Sequence, residues 1–191
     1  MSVKSENNCK RDKDMLKYKK GFTLIELLIV VAVVGILAAL LIPQAIAAMQ
    51  KAKQKGTMKD IGAISTALLD YTIDVGTLPD HAGEMDAALQ SLLAPDYQKV
   101  CPIEDQWGNT FHVYCGQDAG FSIRGCNFDG KGDFLVMSYG RDGDSDDIDY
   151  DPNEPNASLY TVTDISSFEN DLIQFNGSWV RGPRTTIGGS T

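Results

Sequence analysis

The sequence predicts an α+β protein: one long N-terminal helix, apolar in its first half and amphipathic in its second, packed on a small antiparallel sheet. Three observations lead there. Residues 22–42 read FTLIELLIVVAVVGILAALLI, a run with one charge. Beyond it Ile61, Ile64, Leu68, Tyr71 and Val75 recur at alternating steps of three and four, which is one helical stripe. Farther on, short β-branched and aromatic segments are punctuated by Gly116, Gly120, Gly130 and Gly132. At 191 residues the chain has room for one domain and an appendage.

Charge is distributed unevenly. The net charge is −9, yet residues 1–21 carry seven basic and three acidic residues, a local +4, which leaves −13 for residues 22–191. An acidic body argues against a nucleic-acid binder that neutralises phosphates over a broad surface. Two histidines, His81 and His112, are too few for a multi-histidine metal centre, and nothing in the sequence orients His112 toward a cysteine nucleophile. No constellation supports an enzyme.

The apolar run is long enough to span a bilayer, which takes about 20 residues. Lys17, Lys19 and Lys20 precede it, so the positive-inside rule keeps the N-terminus in the cytoplasm and sends the acidic body across. A secretory signal would carry its small-residue cleavage site after the run, where Ala47-Ala48 offers one. That reading leaves Glu26 without a purpose. A carboxylate in an apolar span costs several kcal/mol unless protonated or paired. Either Glu26 snorkels to the interface, or it pairs with a cation. A cut between Gly21 and Phe22 would create such a cation, an α-amino group one helical turn away.

Pro43 lacks the N–H for the helical ladder and is expected to kink or loosen the helix at the membrane exit. The helix then continues to about Ile73, roughly 75 Å in all at 1.5 Å per residue. Lys51, Lys53, Lys55 and Lys59 read as its solvated face. Gly76, Pro79 and Asp80 end it. Met85–Leu93 is expected as a short helix, and Thr110–Cys115, Phe121–Arg124 and Asp133–Tyr139 as strands. Leu159–Ile165 reads as a strand, and Leu172–Val180 as a short helix or a strand pair. Trp107 and Trp179 are expected as core anchors. The division by composition is a leader at 1–21, a membrane helix at 22–49, a globular head at 50–180 and a flexible tail at 181–191.

Of the four cysteines, Cys9 falls in the leader. An oxidising compartment would let two of the others pair: Cys115 with Cys126 across a hairpin-length segment, or Cys101 with Cys115. Residues 142–151 read DGDSDDIDYD, with six aspartates. Their repulsion invites a hard cation such as Ca²⁺, which takes six to eight oxygen ligands. The EF-hand pattern fails, because Asp147 replaces its glycine and Asn153 stands where its glutamate belongs.

Residues 19–43, KKGFTLIELLIVVAVVGILAALLIP, resemble the N-terminal signature of the type IV pilin superfamily, which includes type IV pilins and type II secretion pseudopilins. The resemblance implies a pilin-like fold, cleavage between Gly21 and Phe22 by a prepilin peptidase, N-methylation of Phe22, and a role for Glu26 in methylation or filament assembly. Three further segments resemble the major pseudopilin family of type II secretion systems: Tyr71, Asp74, Gly76 and Pro79; Asp105-Gln-Trp107-Gly108-Asn109; and Ser138-Tyr-Gly-Arg-Asp142-Gly143 with Asp146-Asp147-Ile148. They imply a structural Ca²⁺ ion held by Tyr139 and Ile148 through carbonyls and by Asp142, Asp146 or Asp147, and Asp149 through side chains.

The function so implied is that of a structural subunit of a secretion pseudopilus, not an enzyme. It would sit as a single-pass protein in the bacterial inner membrane with a periplasmic head. Its partners would be copies of itself, minor pseudopilins, the inner-membrane assembly platform and the prepilin peptidase. A type IV pilin for adhesion or motility is the first alternative. A competence pilin that captures DNA is the second, against which the −13 speaks.

Overall fold

The computed structural model describes residues 21–116, 132–146, 154 and 157–184. Its contacts divide the chain into two units, residues 1–43 and 44–191.

The first unit holds the beginning of helix α1 (Leu24–Val75). Between Leu24 and Ile42 the large apolar side chains stand exposed around the whole helix, among them Leu24, Ile36, Leu40 and Leu41. A helix apolar on every side belongs in lipid or against other apolar helices. By length and composition α1 is able to cross a membrane. Pro43 lies inside α1 without ending it, and the boundary between the units falls just after it.

The second unit is the α+β head. Here α1 turns amphipathic, and Ile61, Ile64 and Leu68 of the expected stripe are fully buried, with Thr57, Ser65 and Ala67 beside them. Tyr71 packs at the edge of the core, its ring 5.5 Å from that of Tyr97 and nearly perpendicular. Val75 is exposed, because the helix there has run past the sheet. Gly76 stops α1 with φ +88°, donating its N–H to the Thr72 carbonyl at 2.8 Å.

Helix α2 (Ala87–Leu93) is capped by Asp86, whose carboxylate accepts the Leu89 N–H at 2.8 Å. The strands are β1 (His81–Glu84), β2 (His112–Cys115), β3 (Phe134–Ser138), β4 (Leu159–Tyr160), β5 (Leu172–Phe175) and β6 (Ser178–Pro183). They form one sheet in the order β1-β2-β3-β5-β6-β4. Every pairing is antiparallel except β4 with β6, so the sheet is mixed rather than wholly antiparallel.

The main core lies between α1, α2 and one face of the sheet, with Leu89, Leu93, Phe111, Val113, Phe134, Val136 and Leu172 joining the α1 stripe. On the other face Leu135, Met137, Ile173 and Val180 form a smaller cluster. Strand β3 is therefore buried on both faces along its length. Trp107 and Trp179 pack at the margin of the main core, half-buried rather than central.

Several expectations are revised. Strand β1 was not foreseen. Leu172–Val180 resolves as a hairpin turning at Asn176-Gly177, with φ +47° and +80°. Arg181–Pro183 belongs to β6, so the ordered head extends past residue 180. Around Ile165, a 3₁₀ turn (Ile165–Phe168) replaces the end of the expected strand. The expected strand Phe121–Arg124 and the leader 1–20 lie outside the described residues.

Candidate functional site

The N-terminal site begins at Gly21, with Phe22 exposed ahead of the helix. Thr23 is the cap residue of α1 and Glu26 its third helical residue. The Thr23 N–H donates to Glu26 Oε2 at 2.9 Å, and the Thr23 hydroxyl donates to the same oxygen at 2.9 Å. In return the Glu26 N–H donates to Thr23 Oγ1 at 3.3 Å. This reciprocal arrangement is a capping box. It satisfies two N–H groups that an apolar helix end leaves without partners, and it holds the Glu26 carboxylate beside the Phe22–Thr23 backbone. The expectations for Glu26, an intramembrane acid with a role in methylation or assembly, do not include Thr23 as its partner. The signal was present, because Thr-Leu-Ile-Glu before an apolar run spells the box.

The second candidate site is the acidic loop after β3, and it is built on the Asp105–Asn109 turn. Asp105 is 6% exposed. Its Oδ1 accepts the N–H groups of Trp107 at 2.8 Å and Asn109 at 2.9 Å. Its Oδ2 accepts the Ser138 hydroxyl at 2.7 Å. Asn109 then reaches over with its side-chain amide to the Gly140 carbonyl at 2.7 Å. Two motifs that were read separately, Asp105–Asn109 and Ser138–Gly143, are thus one hydrogen-bonded unit. The Trp107 indole donates to Gln50 Oε1 at 2.7 Å and ties that unit to α1.

The far wall of the loop comes from residues 168–171 and β6. The Arg141 N–H donates to the Phe168 carbonyl at 2.9 Å, and the Arg141 side chain pairs with Glu169. Asp146 and Asp171 are linked twice: the Asp146 N–H donates to Asp171 Oδ2 at 3.0 Å, and the Asp171 N–H to Asp146 Oδ2 at 3.1 Å. Arg181 pairs with the same Asp146 oxygen at 2.8 Å. Asp171 is fully buried. Burial pushes its carboxyl up to about 7, and the charges of Asp146 and Asp142 act in the same direction, while the Asp146 N–H and Arg181 oppose them.

Of the six expected Ca²⁺ ligands, Asp147, Ile148 and Asp149 lie outside the described residues. The other three lie among the described residues. Asp142 is exposed and accepts the Asp144 N–H at 3.3 Å. Asp146 is committed to Arg181. The Tyr139 ring lies tilted by 35° against that of His112, centroids 4.2 Å apart, a contact of its side chain and not of the carbonyl expected as the ligand. Among the described residues no three acidic, histidine or cysteine side chains are grouped closely enough to hold a metal ion.

Cys101 and Cys115 carry buried, free thiols, so they are not joined to one another. Burial pushes the Cys101 thiol up to about 11 and that of Cys115 up to about 12. Cys126, the other expected partner of Cys115, lies outside the described residues.

Residues 16–42 match the family model for the prokaryotic N-terminal methylation motif. Residues 44–153 match the model for type II secretion system (T2SS), protein G. A methylation motif on a membrane-length helix, followed by a mixed-sheet head, defines the class: a membrane-anchored protein of pilin-like architecture. Within that class the chain belongs to the type II secretion system protein G family. Relatives named type II secretion system core protein G include one from Pseudomonas aeruginosa, 32% identical over 125 residues, 60% of this chain and 87% of that protein. Another, from Aeromonas hydrophila, is 32% identical over 123 residues, 59% of this chain and 85% of the relative. A third, from Vibrio cholerae, is 30% identical over 113 residues, 55% and 77% of the two chains. No solved structure matches the chain.

Proposed function

We propose that this chain is the repeating structural subunit of a type II secretion pseudopilus, made as a precursor in the inner membrane and drawn from it into a helical filament. The observation that carries the reading is the direct succession, in one chain, of a methylation motif at 16–42 and a protein G domain at 44–153. The precursor lies with its N-terminus in the cytoplasm and its head in the periplasm. A prepilin peptidase cuts between Gly21 and Phe22, and Phe22 is methylated. The chain's work is mechanical: it assembles with copies of itself, minor pseudopilins and the inner-membrane platform, and it turns over no substrate.

The physical logic rests on Glu26. In the precursor its carboxylate is satisfied by Thr23 of the same helix. After cleavage the α-amino group of Phe22 lies three bonds from the Thr23 nitrogen, within reach of the same carboxylate or that of a neighbouring subunit. In a water-poor environment an amine and a carboxylate that find each other neutralise two costly charges. A subunit entering a filament therefore gains most where its amine meets a free acid, which fixes the axial step between copies.

Deleting the gene in the native host tests the reading. The proposal expects export of type II cargo to stop and to return with the wild-type chain but not with Glu26→Ala, while surface piliation is unchanged. Normal export with lost surface pili would instead identify a type IV pilin.

A further inference from the structure

We propose that the cleft between the second half of α1 and the ends of β4 and β6 binds the phosphate headgroup of an anionic phospholipid. The cleft follows from the topology. Strands β4 and β6 run parallel, with Tyr160 beside Pro183, so both end on the same side of the sheet. Thr161 and Val162, which continue β4, and Pro183 and Arg184, where β6 ends, form one wall. The other wall is a stripe of α1, with Lys51, Gln54, Lys55 and Met58 on one helical face. The cavity between them measures about 590 Å³, in the range of small-molecule sites, about 300–1,000 Å³. Both walls are anchored. The Arg184 N–H donates to the Tyr160 carbonyl at 2.7 Å, and Arg184 Nε to the Leu159 carbonyl at 3.0 Å. Gln54, 2% exposed, donates to the Tyr160 hydroxyl at 2.9 Å.

The lining has two chemistries. Lys51, Lys55 and Arg184 bring three positive charges, and among the described residues no carboxylate lines the cleft. Neither Lys51 nor Lys55 has an acidic partner among the described residues. Two ammonium groups and a guanidinium suit a phosphate, the first as point charges and the second as a planar fork. Met58, Val162 and Pro183 add apolar surface to the same cleft. A small anion would use the cations and leave that surface wet. A phospholipid uses both: its phosphate meets the cations, and its glycerol and first methylenes cover the apolar side. Position points the same way. Lys51 and Lys55 follow Ile42, the last residue of the apolar run, by 9 and 13 positions, and residues 44–59 hold four lysines and no acid. With the head translocated, as proposed above, the positive-inside rule disfavours lysines within about 15–20 residues of the span. A headgroup ligand gives them a purpose, since basic pockets next to membrane helices recognise anionic headgroups. Long side chains on a helix lean toward its N-terminus, so these lysines reach back along α1 in the direction of the apolar run.

The test titrates the full chain, purified in a neutral detergent, with dioleoylphosphatidylglycerol or dioleoylphosphatidylcholine and counts bound lipid by native mass spectrometry. Three paired variants are compared. Lys51→Gln with Lys55→Gln removes two charges from the cleft. Lys53→Gln with Lys59→Gln removes two from the same helix outside it. Lys51→Arg with Lys55→Arg keeps the charge in place. The proposal expects the wild type to retain one phosphatidylglycerol in preference to phosphatidylcholine. The cleft glutamines should weaken that binding at least about tenfold, while the other two pairs leave it within about twofold of wild type. Equal losses from both glutamine pairs would mean a diffuse charge effect and overturn the proposal, as would no loss from the cleft pair. Inorganic phosphate, titrated calorimetrically, should give no saturable heat; binding as tight as that of the lipid would make the cleft a free-anion site and overturn the assignment. A cleft pair that keeps the lipid but loses cross-linking between copies would assign the cleft to an acidic surface of a second chain, and the proposal falls. Lipid binding in detergent needs neither the topology nor the filament, so its failure is distinct from a failed export assay.

Discussion

Asp105 joins the 105–109 turn to the end of β3. A buried carboxylate is costly unless its lone pairs are used, and here three donors use them. Replacing it with alanine strands the Trp107 and Asn109 N–H groups and the Ser138 hydroxyl. Asp105→Ala is predicted to lower unfolding free energy by about 2–4 kcal/mol, measured by denaturant titration. Cys101 illustrates the opposite case, a buried group with no polar task. Its thiol is held up at about 11, so at neutral pH almost none is the reactive thiolate. Alkylation of Cys101 in the folded protein should be far slower than in denaturant, and equal rates would contradict its placement. At the membrane helix, Thr23→Val removes the hydroxyl that both accepts the Glu26 N–H and donates to the Glu26 carboxylate. Amide exchange at Glu26 in lipid nanodiscs should accelerate about fivefold, the equivalent of a cap worth about 1 kcal/mol.

At the scale of elements, two glycines distinguish backbone strain from crowding. Gly177 sits in the β5–β6 turn at φ +80°, where an added Cβ would approach only Leu69, at 4.0 Å. Gly177→Ala is therefore predicted to cost only the left-handed penalty of about 1–2 kcal/mol. Gly140 is also left-handed, at φ +70°, but it presses on the backbone of residues 169 and 170. Gly140→Ala should cost distinctly more than Gly177→Ala in the same denaturant titration, and an equal cost would mean that the loop and the 168–171 segment are not in contact. The periodic elements were legible in the sequence. Steps of three and four placed Ile61, Ile64 and Leu68 in the core, and an apolar run placed β3. His81-Ala-Gly-Glu has no strand propensity, and it is a strand only because β2 offers it a partner. The two-residue β4 is likewise created by its parallel neighbour β6. Asn176-Gly177 is a legible hairpin signal, whereas the apolar content of Leu172–Val180 suits a strand pair and a short helix alike.

At the scale of the molecule, the N-terminal motif was almost fully readable, because processing and membrane signals are local strings. The acidic loop is readable as composition and as a family-like string, but not in its tertiary pairings. What fixes it comes from far along the chain: Asp146 meets Arg181 across 35 positions and Asp171 across 25. No periodicity reports such pairs. Residues 157–184 furnish three of the six described strands and a wall of this loop.

The central claim is that the chain is a precursor whose first 21 residues are removed to free an amine near Glu26. Intact mass spectrometry of the protein purified from membranes of its native host measures this directly. The account predicts a single species consisting of residues 22–191 plus one methyl group. A species retaining the leader, or one cut beyond Ala48, would contradict it.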